Sequence, residues 1–241
     1  MLESMKMLVK TPFRLCGLDI KRYRPQEPER VYGWLMRRDI STVIDIGANT
    51  GQFAKQIHKI IPTATIFSFE PIEACYDKLV RNMSEVPKFY AFNYAIGDAD
   101  TDMEMHVNDY TPSSSLLPMA DLHVKAFPHT SKEHRKKVKV RRLDKVVREL
   151  QCDGNLLIKM DVQGYEDRVI RGGQSVISRA KVLIVETSFQ CLYVGQPLFK
   201  GIYDILVKMG FTYVGALTQL RSRLDGSVLQ ADSIFVMEEN E

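Results

Sequence analysis

The sequence predicts an α/β fold, in which a doubly wound and mainly parallel sheet carries helices on both faces and ends in an antiparallel strand. Strand-like and helix-like segments alternate along most of the chain, which is the pattern of βα units. No helical pattern separates the last two strand-like segments, 212–216 and 233–237, so they should pair antiparallel at one edge. The 241 residues include 45% hydrophobic and 26% charged residues, which indicates an ordinary globular domain rather than a disordered or membrane-spanning chain.

The individual elements follow from hydrophobic periodicity, in order along the chain. Val31, Trp34 and Leu35 share one face of a helix over 29–38, which leads into the first strand. The predicted strands cover 42–46, 65–69, 88–95, 101–107, 138–143, 156–160, 182–186, 212–216 and 233–237, and the predicted helices cover 52–61, 72–83, 144–150, 165–178 and 201–209.

A long polar loop over 108–130 interrupts this alternation. Loops of more than about 12–15 residues are uncommon in compact domains unless they are lids, binding loops or disordered segments. We therefore expect a lid over the substrate or cofactor, with Ser115 among the cofactor contacts. The histidines in and around this loop are either bases within the lid or surface residues, and the surface is favoured because nothing in the sequence positions them: His106, His123, His129 and His134.

The first 30 residues are predicted to be an extension that precedes a single domain over 31–241. They could form a short basic amphipathic helix, which either packs against the domain or contacts a membrane surface or a partner. Glu3, Lys6 and Lys10 interrupt the apolar run, so no signal peptide is predicted. The four cysteines are scattered without Cys-x-x-Cys pairing, which indicates a reduced, cytoplasmic protein without a structural zinc site.

The charge pattern argues against a nucleic-acid partner. The formal net charge is only +3, from 33 basic and 30 acidic residues. The basic run over 132–142 has Val138 and Val140 at strand spacing, which is typical of one solvated face of a strand, and it lacks interleaved aromatic residues for base stacking. We expect a small-molecule or glycan substrate; an anionic sugar carrier fits this run better than RNA does.

A glycine turn follows the first strand and predicts a cofactor site. Gly47 and Gly51 permit backbone torsions and close approaches that a Cβ would prevent, and the next helix directs unpaired N–H groups towards a ligand. A dinucleotide-binding turn needs Gly-x-Gly-x-x-Gly, but Asn49 and Gln52 occupy its second and third glycine positions. This disfavours a nucleotide-dependent dehydrogenase. The remaining pattern, which starts at Asp45, resembles the first motif of S-adenosylmethionine (SAM) methyltransferases.

Acidic side chains also follow the next two strands. Glu70 precedes Pro71 at the end of the second strand, where a carboxylate can bind both hydroxyls of a ribose, or else cap the next helix. Asp98 ends the third strand in the same way. It could accept a hydrogen bond from an adenine amino group, with Ile96 covering the ring, or simply form a turn.

The motif Lys-x-Asp-x-x-Gly-x-Glu over 159–166 carries the most specific resemblance. Together with the segments 45–53, 69–71, 95–98, 142–144 and 182–186, it resembles the FkbM family of SAM-dependent O-methyltransferases. The resemblance implies a class I methyltransferase (Rossmann-like) fold, SAM as the methyl donor, and a hydroxyl of a sugar, glycan or secondary metabolite as the acceptor. Gln163 departs from the family pattern, which often has Glu there, so a charge at this position is not required.

Transfer to a hydroxyl requires the removal of a poorly acidic proton, and two mechanisms fit. A general base typically contributes about 10²–10⁴-fold, whereas a divalent metal lowers the pKa of bound water by about 9 units. Asp161 and Glu186 could share a metal, but no Asp-Asn or Asp-Asp pair follows the fifth strand. This favours metal-independent catalysis with Asp161 as the base or as a substrate-orienting acceptor. Lys159 is either its electrostatic partner or a structural ion pair. A non-catalytic SAM- or glycan-binding protein is the alternative function.

Overall fold

The structure is a computed structural model that describes residues 32–150 and 152–237, together with Thr11, Pro12, Leu15 and Cys16. The predicted N-terminal helix and its membrane contact therefore lie almost wholly outside the described residues. Within 29–38, the described part contains a 3-10 helix over Gly33–Arg38 in place of the predicted α-helix. None of the helices in the described part of the chain is both long and apolar enough to cross a membrane.

The strands and α-helices are numbered in chain order. The strands are β1 (Thr42–Ile46), β2 (Thr65–Phe69), β3 (Phe89–Phe92), β4 (Ala95–Gly97), β5 (Thr101–Asn108), β6 (Glu133–Arg142), β7 (Leu156–Met160), β8 (Ala180–Ser188), β9 (Phe211–Arg221) and β10 (Val228–Met237). The helices are α1 (Gln52–Ile60), α2 (Glu73–Asn82), α3 (Asp121–Ala126), α4 (Leu143–Leu150), α5 (Glu166–Gly172), α6 (Gln174–Ile177) and α7 (Phe199–Lys208).

The main sheet confirms the predicted fold class. Its seven strands have the order β3-β2-β1-β7-β8-β10-β9, and β10 pairs antiparallel with both β8 and β9. The pairs β3-β2, β2-β1, β1-β7 and β7-β8 are all parallel. The chain runs outward from β1 to β3 and then returns to β7, so the topological switch point lies between β1 and β7. In open α/β sheets, ligands bind beyond the carboxyl ends of the strands at this point.

The central strands are buried on both faces, as parallel sheets require. Alternation along each strand sends Val43 and Leu157 to one hydrophobic core, which α1 covers, and Ile44 and Ile158 to the other core on the opposite face. All five residues of β1 and all five of β7 are buried, including Asp45 and Lys159. These charged side chains must therefore find partners within the protein.

A second, three-stranded sheet with the order β4-β6-β5 was not predicted. The predicted strand over 88–95 is in fact two strands, β3 and β4, which belong to different sheets. Between them, the Asn93 side chain donates hydrogen bonds to the carbonyl oxygens of Glu70 (3.0 Å) and Pro71 (3.2 Å). The basic face of β6 forms exposed ion pairs that include Arg135–Glu104 and Lys137–Asp102.

Two further predictions about secondary structure need correction. The segment 108–130 is a packed unit rather than an irregular loop, because it contains α3 and the 3-10 helices Thr111–Ser113 and Pro128–Thr130. The predicted helix over 165–178 is broken into α5 and α6. At the break, a Cβ on Gly172 would lie 1.8 Å from the carbonyl oxygen of Gly97, so the helix can approach β4 only through glycine.

Candidate active site

A cavity of about 360 Å³ opens at the carboxyl ends of β1, β2, β7 and β8. Its volume lies in the usual range for small-molecule sites, about 300–1,000 Å³. Nine of the twelve predicted site residues line it: Asp45, Gly47, Asn49, Glu70, Pro71, Ile96, Lys159, Asp161 and Glu186. The sheet topology therefore brings together side chains from four separate strand ends.

The other three predicted residues lie outside the cavity lining. Gly51 precedes α1 with φ +91°, and a Cβ there would approach Leu79 Cδ1 to 2.9 Å. Asp98 faces Arg171, whose Nη1 lies 3.4 Å from its Oδ2. Ser115 is 1% exposed and donates a hydrogen bond to the carbonyl oxygen of Gln163. The geometry thus gives Gly51 and Ser115 supporting positions and does not bring Asp98 to the cavity.

The glycine turn at Gly47 joins the ends of three strands. The N–H groups of Gly47 and Ala48 donate to the carbonyl oxygen of Phe69, at 3.0 and 3.1 Å. The N–H of Asp161 donates to the carbonyl oxygen of Ile46 at 3.0 Å. Gly47 has φ +82°, and a Cβ there would lie 1.9 Å from the carbonyl oxygen of Asp161. Glycine is required here for both torsion and close approach.

Replacing Gly47 with alanine is expected to lower the free energy of unfolding by roughly 2–5 kcal/mol, from left-handed strain and the clash with Asp161. Gly195→Ala is the matched control, because Gly195 has φ +80° and a Cβ there would meet nothing within 4 Å. Gly195→Ala should lower the free energy of unfolding only by the torsional strain, about 1–2 kcal/mol. Urea unfolding measures both; equal losses in the two variants would contradict the close approach.

Glu70 connects the glycine turn to the start of α2 through hydrogen bonds. Its Oε2 accepts a hydrogen bond from the N–H of Asn49, and its Oε1 accepts one from the N–H of Ile72, both at 2.8 Å. Burial raises the pKa of Glu70 to about 7, although the two N–H donors favour its ionised form. A carboxylate has about four lone-pair sites, so each oxygen keeps capacity for one more donor.

Four charged residues, one from each of four neighbouring strands, form a row that is staggered by two residues between β7 and β8. Asp45 on β1 is in register with Lys159 on β7, and Glu186 on β8 is in register with Asp232 on β10. By strand alternation all four project on the face that α1 covers. The sequence alone does not reveal Asp232 as a member, because its strand is the last in the chain and inserts between β8 and β9.

Lys159 is the cation at the centre of this row. Its Nζ lies 2.8 Å from Asp161 Oδ2 and 3.9 Å from Asp232 Oδ1, and 5.8 Å from the centre of the Phe53 ring. Burial alone would lower the pKa of Lys159, but the carboxylates of Asp161, Asp232 and Asp45 outweigh it and raise that pKa above its ordinary value. Burial raises the pKa of Asp45 to about 7, against the opposing effect of Lys159.

Gln163 links the two carboxylates predicted to be catalytic. Its Nε2 donates to Asp161 Oδ1 (2.9 Å) and to Glu186 Oε2 (2.6 Å), and its Oε1 accepts from the Tyr193 hydroxyl (2.8 Å). Gln230 also donates to Glu186 Oε2, at 2.9 Å. The sequence alone indicates only that no charge is required at Gln163. Its amide can donate to both acids, which a glutamate carboxylate could not do.

Glu186 lies among the other carboxylates of this site. Burial, together with Asp161, Glu166 and Asp232, raises the pKa of Glu186 well above its ordinary value. Both hydrogen bonds that it accepts from the described residues end on Oε2, so Oε1 has no partner among them. Among the described residues, no group of three or more His, Cys, Asp or Glu side chains is arranged to hold a metal ion.

Comparisons with known proteins identify related sequences. The family model described as "Methyltransferase FkbM domain" matches residues 45–213, which include the glycine turn, Glu70, Lys159, Asp161 and Glu186. The 2-O-methyltransferase NoeI of Sinorhizobium fredii (strain NBRC 101917 / NGR234) is 28% identical over 179 residues, which cover 71% of this chain and 73% of NoeI. Methyltransferase 1 of Beauveria bassiana (strain ARSEF 2860) is 29% identical over 146 residues, covering 56% of this chain and 59% of that protein.

A solved structure has the same fold. The methyltransferase FkbM from Methylobacillus flagellatus KT superposes with a TM-score of 0.51 and 14% identity, over 82% of this chain and 44% of that one. The chain thus spans less than half of that solved protein and about three fifths of the fungal relative.

Proposed function

The chain belongs to the FkbM methyltransferase family, and from this premise we propose that it transfers a methyl group from SAM to a hydroxyl of a sugar or glycan. As a family member it is an enzyme that transfers methyl groups. The similarity to NoeI, a 2-O-methyltransferase, supports oxygen as the methylated atom. The observation that carries the proposal is the cavity at the switch point, where Glu70 and Glu186 line one space.

The residues around the cavity fit SAM as the donor. The unused lone pairs of Glu70 suit the two ribose hydroxyls, and the turn at Asp45, Gly47 and Asn49 suits the methionine end. Ile96 lines the wall beside Glu70, where it can cover the adenine ring. The row of carboxylates with a single lysine complements a ligand that carries an ammonium and a sulfonium group.

SAM, when bound, supplies a methyl group on a positively charged sulfur, which leaves as a neutral thioether when the acceptor oxygen forms its bond to the methyl carbon. The chain must hold the acceptor oxygen in line with the bond between the sulfur and the methyl carbon, and it must take the proton of the hydroxyl. We assign the proton to Glu186 Oε1, because that oxygen accepts no hydrogen bond from the described residues. Asp161 keeps Gln163 and Lys159 in position through hydrogen bonds to both of its oxygens.

Incubation with SAM that carries a labelled methyl group, with a panel of sugars and glycans as acceptors, tests this function. Transfer of label to an acceptor hydroxyl, with release of S-adenosylhomocysteine, is the expected result. Addition of a chelator then tests the mechanism, because Glu186 as the base predicts unchanged turnover. Failure to bind SAM in calorimetry would refute the donor assignment.

Replacing Glu70 with glutamine is expected to weaken SAM binding at least tenfold in calorimetry. The glutamine amide nitrogen cannot accept the N–H of Asn49 or Ile72, and it offers the ribose one acceptor fewer. The analogue of S-adenosylhomocysteine that lacks the 2′-hydroxyl distinguishes loss of the ribose contact from disturbance of the glycine turn. If Glu70 binds the ribose, this analogue should lose less affinity than the parent compound on mutation. An equal loss would assign Glu70 to the turn alone.

A further inference from the structure

A second cavity, of about 230 Å³, adjoins the first one. Gln163 and Glu186 line both cavities, so they form the wall between them. One side of the second cavity comes from the segment 108–130, and the other side comes from the β9–β10 hairpin. Glu186, whose Oε1 has no hydrogen-bond partner among the described residues, belongs to this shared wall.

The segment 108–130 contributes an aromatic surface to the second cavity. The rings of Tyr110 and His129 meet edge to face at 5.2 Å, and those of Phe127 and His129 do so at 6.3 Å. Tyr110 is 50% exposed, which puts it at the mouth, whereas Phe127 is buried. Aromatic rings in this position offer a ligand an apolar contact of large area.

His123 lines the same cavity and is 3% exposed, which corrects its predicted surface position. Its Nδ1 is buried without a hydrogen-bond partner among the described residues. Buried polar atoms in folded proteins are nearly always paired, so an unpaired one on a residue that lines a cavity points to a missing ligand group. Burial, and to a lesser degree His129, lowers the pKa of His123 to about 4. The ring is therefore neutral at pH 7 and can either accept a hydrogen bond from a hydroxyl or donate one to it.

We propose that the second cavity is the acceptor site and that it binds one sugar ring, with His123 Nδ1 hydrogen-bonded to a sugar hydroxyl and Tyr110 against the C–H face of the ring. This assignment rests on the proposed function, since it places donor and acceptor on opposite sides of Glu186. A sugar hydroxyl in the second cavity approaches the donor cavity past Glu186. Its proton passes to Oε1 as the new O–CH₃ bond forms.

The distribution of polar groups favours a sugar over a phenolic acceptor. Polar side chains surround the cavity on both sides, from His123 and Gln163 to Arg223 and Gln230, while apolar contact comes from Tyr110, Phe127 and Leu220. A sugar ring has hydroxyls around its rim and C–H groups on its faces, so it can contact both the polar and the apolar side chains of this lining. The volume falls below the range of about 300–1,000 Å³ that is usual for drug-sized ligands, which fits a single ring.

Ligand-observed saturation-transfer NMR on the S-adenosylhomocysteine-loaded enzyme tests the acceptor site. The probes are methyl glycopyranosides of common hexoses and 6-deoxyhexoses, with catechol as the phenolic comparison. The variants are Tyr110→Ala and His123→Phe, the second of which keeps the ring contacts to Phe127 and Tyr193. Tyr90→Ala is the matched control, because Tyr90 is 49% exposed and stacks on Phe67 rather than lining either cavity.

At least one glycoside should bind the wild-type enzyme. Tyr110→Ala and His123→Phe should each weaken its binding about five- to tenfold, whereas Tyr90→Ala should not. Calorimetry with S-adenosylhomocysteine should give the same affinity for all four proteins. Binding of catechol alone, of no probe, or of glycosides equally to every variant would overturn the acceptor site. If the wild-type enzyme binds the cofactor and methylates a sugar despite such a result, only the acceptor site is refuted. If the wild-type enzyme does not bind the cofactor, the acceptor site and the proposed function are both refuted.

Discussion

Replacing Glu186 with glutamine is expected to lower kcat for methyl transfer by about 10²–10⁴-fold while SAM still binds. Glutamine keeps the shape of the side chain and can still accept a hydrogen bond from Gln163 or Gln230. It cannot take a proton from the acceptor hydroxyl. Single-turnover measurements with labelled SAM isolate the chemical step, and calorimetry on the same variant checks the cofactor affinity.

The pH dependence gives this prediction a second readout. A base acts in its ionised form, and the buried position beside Asp161, Glu166 and Asp232 raises the pKa of Glu186. The wild-type kcat should therefore fall as the pH drops through a value above the ordinary glutamate range. In Glu186→Gln this acidic limb should disappear along with most of the activity.

Asp161→Asn serves as the comparison. The sequence favoured Asp161 as the base, yet each of its oxygens already accepts a hydrogen bond, one from Lys159 and the other from Gln163, whereas Glu186 Oε1 accepts none from the described residues. We expect this variant to disturb the position of Gln163 and to retain the acidic limb of the pH profile. If Asp161→Asn abolishes that limb while Glu186→Gln keeps full turnover, the base is Asp161.

Much of the proposed donor site could be predicted from the sequence because parallel strands bring their carboxyl ends to one edge of the sheet. The glycine turn, Glu70 and Asp161 each follow a short apolar strand, and local pattern alone identifies such positions. The same logic misplaced Asp98, which follows β4. That strand belongs to the second sheet; its residues Ala95 and Ile96 line the cavity, but Asp98 beyond its end pairs with Arg171 instead.

The second cavity could not be predicted in this way. His123 lies in a segment whose short helices depend on tertiary packing, including the buried side chain of Asn108, which donates a hydrogen bond to the carbonyl oxygen of Thr130. Gln230 and Asp232 reach the site only because β10 inserts between β8 and β9. The paired glycines at 172 and 173 did carry a local signal for a helix break, but periodicity favoured one continuous helix.

The charge row also suggests how the enzyme separates substrate from product. Asp45, Asp161, Asp232 and Glu186 outnumber Lys159, so we expect the proposed donor site to favour a ligand with a positive sulfur. Transfer of the methyl group removes that charge, which weakens attraction to the carboxylates. The acids would then contribute both to donor recognition and to product release.

Replacing Lys159 with methionine is expected to lower the free energy of unfolding by about 3–5 kcal/mol at pH 8. Methionine fills a similar volume but removes the only cation within 4 Å of Asp161 and Asp232 among the described residues. The carboxylates of Asp45, Asp161 and Asp232, which are buried or half-buried, then repel one another without a compensating positive charge. Lys137→Met removes an exposed partner of Asp102 and is the matched control, with almost no expected change.

The loss should depend on pH in a defined direction. The pKa of Asp45 is already raised to about 7, and removal of Lys159 raises it further, so the folded variant binds more protons than its unfolded form. Stability then increases as the pH falls from 8 to 5. In the wild type, Lys159 has a raised pKa, so its contribution is complete below the unfolded value of 10.5 and constant over this range. Urea unfolding at both pH values should therefore give a smaller loss for Lys159→Met at pH 5; equal losses would show that Lys159 acts through packing rather than charge.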